Sequence, residues 1–415
     1  MSDNYLQPPK RSGAYDKQNE KPNKSGRVSK YKNSIRNSFA YAQGSFDIVL
    51  FMTVLALLTI GLVMLFSASY PYAYQHDGDS YYYFKRQLVF ALAGVPIMLF
   101  VSKLNYKWLK VIRYPLYIVT ILLLILVLFY HTDLGREEDF RRWIPLGPIT
   151  IQPSDIAKFT VVLLMASYIS RYHRKMNRLV YGVLIPAVLV GTFCLLIYAE
   201  NHLSCTVLVF MIGIVMMFCG GTRVEWFIGG ICLVAAVAFV VIKNPDILPG
   251  YQGDRIRAWI DKGFDPLGLR WQTNNSLYAI GSGGFFGTGL GGSTQKYMYV
   301  SEPQNDFIFA IVCEETGFFG AMMLLLLFTL LVWRGIVIGT TAKNRFGGLL
   351  AMGIVLQVGI QVILNIAVAT DSIPNTGISL PFFSYGGTSL VIFMVQMGMV
   401  LSVSRSSRNK KSLNE

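Results

Sequence analysis

The chain has 415 residues, 53% of them hydrophobic and 14% charged, with a mean hydropathy of +0.46 and a formal net charge of +14. Its apolar residues fall in repeated runs long enough to cross a bilayer core of about 30 Å, which argues against a soluble single-core domain. The positive charge lies in tails and short loops, where attraction to anionic lipid headgroups accounts for it without nucleic acid.

Residues 1–45 are rich in Asn, Ser, Lys and Tyr with few branched apolar side chains, the composition of a disordered basic tail. This tail has no apolar core, so it does not read as a secretory signal peptide. Ten apolar spans follow: Ile48 to Phe66, Gln87 to Val101, Pro115 to Tyr130, Ile156 to Ile169, Leu179 to Tyr198, Leu203 to Cys219, Trp226 to Ile242, Phe307 to Trp333, Gly347 to Val368, and Thr388 to Val403. Gly317 and Gly320 are candidate break points in the eighth. Lipid offers the backbone no hydrogen-bond partner, and the runs are too long and uniformly apolar for barrel strands. The expected fold is therefore all-α, a polytopic membrane helical bundle over 46–404, followed by a basic tail at 405–415.

Lys and Arg concentrate in cytoplasmic loops. The loops holding Lys103, Lys107, Lys110 and Arg113, then Arg171, Arg174, Lys175 and Arg178, then Arg334, Lys343 and Arg345, contain no acidic residue. The opposite loops carry Asp77, Asp79, Glu137, Glu138, Asp139, Glu200, Asp254, Asp265 and Asp371. Both termini fall on the positive side, which predicts cytoplasmic ends and a large extracellular loop between helices 7 and 8.

Two outer loops, Thr132 to Asp155 and Lys243 to Asn305, exceed the roughly 12 to 15 residues of a plain connector. The second carries Trp259, Phe264, Trp271, Tyr278 and Phe286 and is expected to fold against the bundle. Its run Gly281 to Gly292 contains G-x-G-x-x-G spacing, but no βαβ unit surrounds it, so a nucleotide fold is excluded. Those glycines serve either close approach to a ligand or tight packing of re-entrant turns. Arg255, Arg257, Arg270 and Lys296 sit on a face otherwise poor in positive charge, suited to phosphate oxygens or to pairing with Asp254, Asp261 and Asp265. Arg141, Arg142 and Trp143 form a second basic and aromatic cluster. The five cysteines and four histidines show no metal-ligand spacing.

A carboxylate at the mouth of a membrane helix is costly and points to function. Asp306 holds that position, at the start of Asp306-Phe307-Ile308-Phe309-Ala310. Its alternative role is an N-cap for the following helix. Glu314 and Glu315 lie about two turns further along, one of them expected near a cavity and the other in packing. Asp155 and Lys158, three residues apart on one helical face, can pair, either to hold the cavity shape or to act directly.

In these residues the chain resembles the SEDS family (shape, elongation, division and sporulation), the group of FtsW, RodA and SpoVE. The matching motifs are Ser67-Ala68-Ser69, Arg142-Trp143-Ile144 with Gln152-Pro153-Ser154, Trp271-Gln272 through Gly291, Asn305-Asp306-Phe307-Ile308-Phe309 with Glu314-Glu315, and Pro374-Asn375-Thr376-Gly377 with Leu380 through Ser389. The resemblance implies ten transmembrane helices and a peptidoglycan glycosyltransferase. Such an enzyme polymerises lipid II, the undecaprenyl-pyrophosphate disaccharide-pentapeptide, on the outer face of the bacterial cytoplasmic membrane. The family's essential carboxylate matches Asp306, as base for the acceptor hydroxyl in an inverting transfer or as ligand of a divalent cation, Mg2+ or Mn2+. No nucleotide cofactor is implied.

Within that reading Arg142, Arg255 and Lys296 are candidates for the leaving pyrophosphate, and Gln272 and Ser384 for further substrate contacts. Asp155, Lys158, Glu314 and Glu315 are candidates for structural or cavity ion pairs. The family works with a class B penicillin-binding protein and other division proteins. The Pro-Asn-Thr-Gly and Leu-Pro-Phe-Phe-Ser segments look more like the division branch, which implies a place at the septum. Two positions depart from the usual pattern: Asp155 stands where Glu is common, and Asn201-His202-Leu203-Ser204-Cys205-Thr206 replaces Pro-Asp-x-Gly-Thr. The rival reading is a lipid II flippase, which predicts a midplane site and internal repeats.

Overall fold

The computed structural model describes residues 44–130, 142–147, 149–244, 247 and 251–408. The tail segments 1–43 and 409–415, and Glu137, Glu138, Asp139 and Arg141 of the first long loop, lie outside the described residues. In chain order the elements are α1 (Ile48–Asp77), α2 (Tyr82–Lys103), α3 (Leu109–Phe129), a hairpin of β1 (Ile144–Leu146) and β2 (Ile149–Ile151), α4 (Pro153–Tyr172), α5 (Ile185–Ala199), α6 (Leu203–Cys219), α7 (Val224–Lys243), α8 (Tyr251–Ile260), α9 (Trp271–Ser282), α10 (Ile308–Thr340), α11 (Arg345–Ala369) and α12 (Gly387–Arg408). The hairpin is antiparallel, with Ile144 opposite Ile151.

Among the described residues, eight helical stretches are long and apolar enough to cross a membrane: α1, α2, α3 with the turn before it (Tyr106–Phe129), α5 with the π-turn before it (Val180–Ala199), α7, α10, α11 and α12. The other two expected spans are α6, a shorter apolar helix of 17 residues, and α4, which carries Asp155 and Lys158 near its start. The chain is a multi-pass helical membrane protein.

Local signals set the helix ends. The Asp47 carboxylate accepts the Leu50 amide at 3.0 Å, and the Asn344 side chain accepts the Gly347 amide at 2.9 Å, satisfying first-turn donors. Pro153 opens α4 at a position where its missing N–H costs nothing. The bundle is built on α2 against α12, α10 between α1 and α11, and α4 between α3, α6 and α11. Its core includes Leu57, Leu65, Met98, Leu163, Val358, Phe383 and Met397, all buried. By contrast, α7 has no buried side chain among its described residues.

Helices α1 and α10 run antiparallel and are bolted together at two levels. At one end Arg334 forks onto the Asp47 carboxylate, with a closest contact of 2.7 Å. At the other, the Ser67 hydroxyl donates to Glu315 at 2.6 Å. The levels are twenty residues apart on α1 and nineteen on α10, about 30 and 28 Å at ~1.5 Å per residue, close to the thickness of a hydrocarbon core.

Near the Ser67 level α10 is broken. Gly317 has φ 67 and ψ −170, outside helical geometry, while the helix continues through Gly320. A Cβ on Gly317 would lie 2.3 Å from the Gly287 nitrogen, so only glycine fits there. The break frees carbonyls and amides that the glycine-rich loop then satisfies. Thr288 and Gly289 amides donate to the Glu314 and Glu315 carbonyls at 2.9 and 3.0 Å, and Phe318 and Phe319 amides donate to the Gly284 and Phe285 carbonyls at 2.9 and 3.1 Å. The glycines therefore serve packing of a loop into a helix break, one of their two expected roles.

Candidate active site

Asp306 is half-buried in a turn just before α10. The N-cap position of that helix belongs to Phe307, which provides no capping side chain, so Asp306 stands one residue too early for that role. Its backbone is tied to the loop between α11 and α12. Asn365, on α11 and fully buried, donates its amide to the Asp306 carbonyl at 2.8 Å and to the Ile378 carbonyl at 2.6 Å. Ser384 donates to the Asn305 carbonyl at 2.6 Å while accepting the Leu380 amide at 2.7 Å. The Tyr385 amide donates to the Gln304 carbonyl at 2.8 Å. Three successive residues, Gln304 to Asp306, are thus pinned by their main chain, a fixed frame that sets where the Asp306 carboxylate lies.

That carboxylate approaches Gly377, whose φ is +69. A Cβ built there would lie 3.1 Å from Asp306 Oδ2. The same loop gathers two other expected site residues. Arg255, on α8, donates to the Asn375 carbonyl at 2.9 Å, and the Asn375 amide donates to Gln272 Oε1, on α9, at 3.2 Å. Arg270 donates to Asp371 at 2.8 Å, and the Trp259 ring nitrogen donates to the Asp371 carbonyl at 3.0 Å, so the outer helices α8 and α9 are fastened over the loop after α11. Asp306, Arg255, Gln272 and Ser384 therefore meet around residues 371–385.

Asp155 and Lys158 pair at 2.6 Å and are both buried. Ser389 donates to Asp155, and Lys158 reaches Gln361 Oε1 at 3.4 Å, whose own amide donates to the Ser379 carbonyl at 2.9 Å. The pair thus braces the base of the same loop.

Lys296 requires a correction. Offered by the sequence to a leaving pyrophosphate, it is 0% exposed, and its ammonium binds Glu315 at 2.9 Å and the Gly291 carbonyl at 2.7 Å. Its charge is turned inward, because the glycine loop folds back onto the α10 break. Glu314 forms no ion pair among the described residues. It accepts from the Ser293 hydroxyl at 2.5 Å and the Thr294 amide at 2.8 Å, while Glu315 takes both the lysine and Ser67. Arg142 is placed apart, donating to the Asn201 carbonyl at 2.5 Å beside the turn from α5 to α6. In that turn Glu200 is fully buried with neither carboxylate oxygen hydrogen-bonded among the described residues. Burial pushes its carboxyl up to about 9, against the opposing pull of Arg142, so it holds its proton at neutral pH.

Asn365 is the site residue that sequence reading missed. Its signal was present: Gln357, Gln361 and Asn365 recur every fourth residue in an otherwise apolar span, a polar stripe on one helix face. Asn365→Ala would leave two carbonyls without a donor in a buried place, at about 1–3 kcal/mol, and would release the Asp306 backbone. We expect a lower unfolding temperature together with a fall in activity beyond that of an equally destabilised variant elsewhere, measured by thermal unfolding and turnover on the same preparation.

The comparisons with known proteins agree with this frame. The family model described as "Cell cycle protein", that of FtsW, RodA and SpoVE, matches residues 48–409. The chain belongs to this family. Stage V sporulation protein E of Bacillus subtilis is 39% identical over 87% of this chain and 98% of its own length. A probable peptidoglycan glycosyltransferase FtsW of Trichlorobacter lovleyi is 34% identical over 89% of this chain and 95% of its own. Among solved structures, a chain of a peptidoglycan synthase complex that coordinates polymerization and crosslinking aligns with a TM-score of 0.71 at 27% identity, covering 87% of this chain and 98% of that one. The rod shape determining protein RodA of Thermus thermophilus aligns with a TM-score of 0.63 at 26% identity, over 87% and 97%. Relatives named for stage V sporulation and for FtsW thus both resemble this chain over most of its length.

Proposed function

We propose that the chain is a peptidoglycan glycosyltransferase that polymerises lipid II into glycan strands on the outer face of the cytoplasmic membrane. Family membership supports the activity, and one observation carries the site. Asp306 projects its carboxylate from a main chain pinned at three consecutive carbonyls, next to a glycine that makes room for it. Preorganisation of that kind suits a general base, which must meet its proton at hydrogen-bond distance.

In the reaction the acceptor sugar's 4-hydroxyl gives its proton to Asp306 while its oxygen attacks the anomeric carbon of the donor, and the bond to the lipid pyrophosphate breaks. The product is a β-linked strand from an α-linked donor, so a single inverting displacement needs one base and no sugar–enzyme bond. Arg255, on α8 and bonded to the loop that Asp306 faces, supports the departing charge better than the buried Lys296. A divalent cation fits here as a guest shared with substrate. Among the described residues no three His, Cys, Asp or Glu side chains converge, and Mg2+ is commonly held by one or two carboxylates plus phosphate oxygens and water. Bound at Asp306, it would neutralise pyrophosphate charge.

A peptide-crosslinking partner, a class B penicillin-binding protein, follows from the chemistry of the product and from the solved complex of similar fold, whose title couples polymerization to crosslinking. Division proteins at the septum complete the proposed setting, in keeping with the family's description as cell cycle proteins. The test is purified protein with the partner and lipid II in detergent, where there is no membrane to cross. Polymer on a gel is the expected result; no polymer, with lipid II crossing proteoliposomes instead, would favour the flippase.

A further inference from the structure

The glycine-rich loop between α9 and α10 is tied to a definite level of α10. Its main chain bonds to Glu314, Glu315, Phe318 and Phe319 of α10, on both sides of the Gly317 break. Glu315 is also bolted to Ser67 at the upper of the two levels that bracket about 30 Å of apolar helix. The loop therefore sits at the edge of the hydrocarbon layer, on the side where Asp306 lies and which the distribution of Lys and Arg makes the outer one.

At that level the loop turns large apolar side chains away from the protein. Phe285 is 74%, Phe286 86% and Leu290 68% exposed. Phe285 meets Phe318 of α10 edge to face, with ring centroids 6.1 Å apart, and Phe318 and Phe319 are exposed as well. The patch is continuous with Met322, Met323 and Leu326, the exposed stripe of α10 that continues into the membrane. Exposed aromatic rings fixed by four main-chain hydrogen bonds are not the mark of a solvated loop, and so large an apolar patch in water would be unfavourable.

We propose that Phe285, Phe286 and Leu290 are seated among the acyl chains of the outer leaflet, making this loop a re-entrant membrane anchor. Backbone at that depth is tolerated because the α10 break satisfies its polar groups. The anchor fixes the height of the loop whose other end carries Lys296 and the Ser293 and Thr294 contacts to Glu314. It thereby holds the outer mouth of α10, and with it Asp306, at the level of the lipid headgroups. This inference stands on the fold and does not need the proposed reaction.

The test is spin labelling of the full chain in phospholipid nanodiscs. Phe286→Cys is combined with Cys232→Ser, which removes the exposed native cysteine, and a Lys262→Cys label serves as the aqueous control. Position 286 should relax strongly with oxygen, which partitions into lipid, and weakly with a water-soluble nickel chelate, the reverse of position 262. Equal access of the nickel chelate at both positions would place the loop in water and overturn the proposal. Loss of access to both reagents would show position 286 covered by protein, a second copy or another helix, and would overturn it too. Leu290→Cys repeats the measurement should the first variant fail to fold.

Discussion

Glu315→Ala is expected to cost the fold about 3–5 kcal/mol, the penalty for leaving one member of a buried ion pair without its partner. Lys296 and Glu315 are both 0% exposed, so water cannot replace the lost carboxylate. The Ser67 hydroxyl loses its acceptor at the same time, and with it the upper bolt between α1 and α10. Thermal unfolding in detergent checks this, with a sharply lower midpoint expected. Replacing the pair with apolar side chains, Glu315→Leu with Lys296→Met, should recover much of the loss, because it removes the stranded charge as well. An unchanged midpoint in Glu315→Ala would mean that water reaches Lys296 and that the cluster is not sealed.

The second large effect falls on turnover rather than on stability. Gly377→Ala places a methyl group 3.1 Å from Asp306 Oδ2, and the carboxylate must shift by a few tenths of an ångström or rotate away. Alanine at φ +69 adds local strain of about 1–2 kcal/mol, tolerable for a bundle of this size. Misplacement of a catalytic group on this scale lowers rates by about 10- to 100-fold. Gly377→Ala should therefore keep nearly the wild-type unfolding midpoint and lose most polymerisation, and Gly377→Val should lose more. Full activity in Gly377→Ala would show that the frame around Asp306 has slack that the reaction does not notice.

How much of this was legible beforehand depends on whether each contact is local. The helices could be read because apolar runs of spanning length admit no other solution in lipid. The place of Asp306 at the mouth of a helix could be read from the apolar run that follows it, and the pairing of Asp155 with Lys158 because three residues of spacing put them on one face. Lys296 could not, since its inward turn depends on a loop folding back nineteen residues from Glu315 and entering a helix break. Its charge at an outer loop suggested a phosphate, while the fold uses it as an internal tie. Asn365 was written plainly as a polar stripe in an apolar span, but its two partners, the carbonyls of Asp306 and Ile378, come from main chain that no side-chain pattern reveals.

The most direct measurement is polymerisation of lipid II by purified protein with its crosslinking partner, comparing wild type, Asp306→Asn and Asp306→Ala at matched unfolding midpoints. General-base catalysis contributes about 10²- to 10⁴-fold, so both variants should form polymer at rates reduced by at least the lower figure. Polymer from Asp306→Asn at the wild-type rate would contradict the account, since asparagine keeps the shape of the side chain and cannot take the proton.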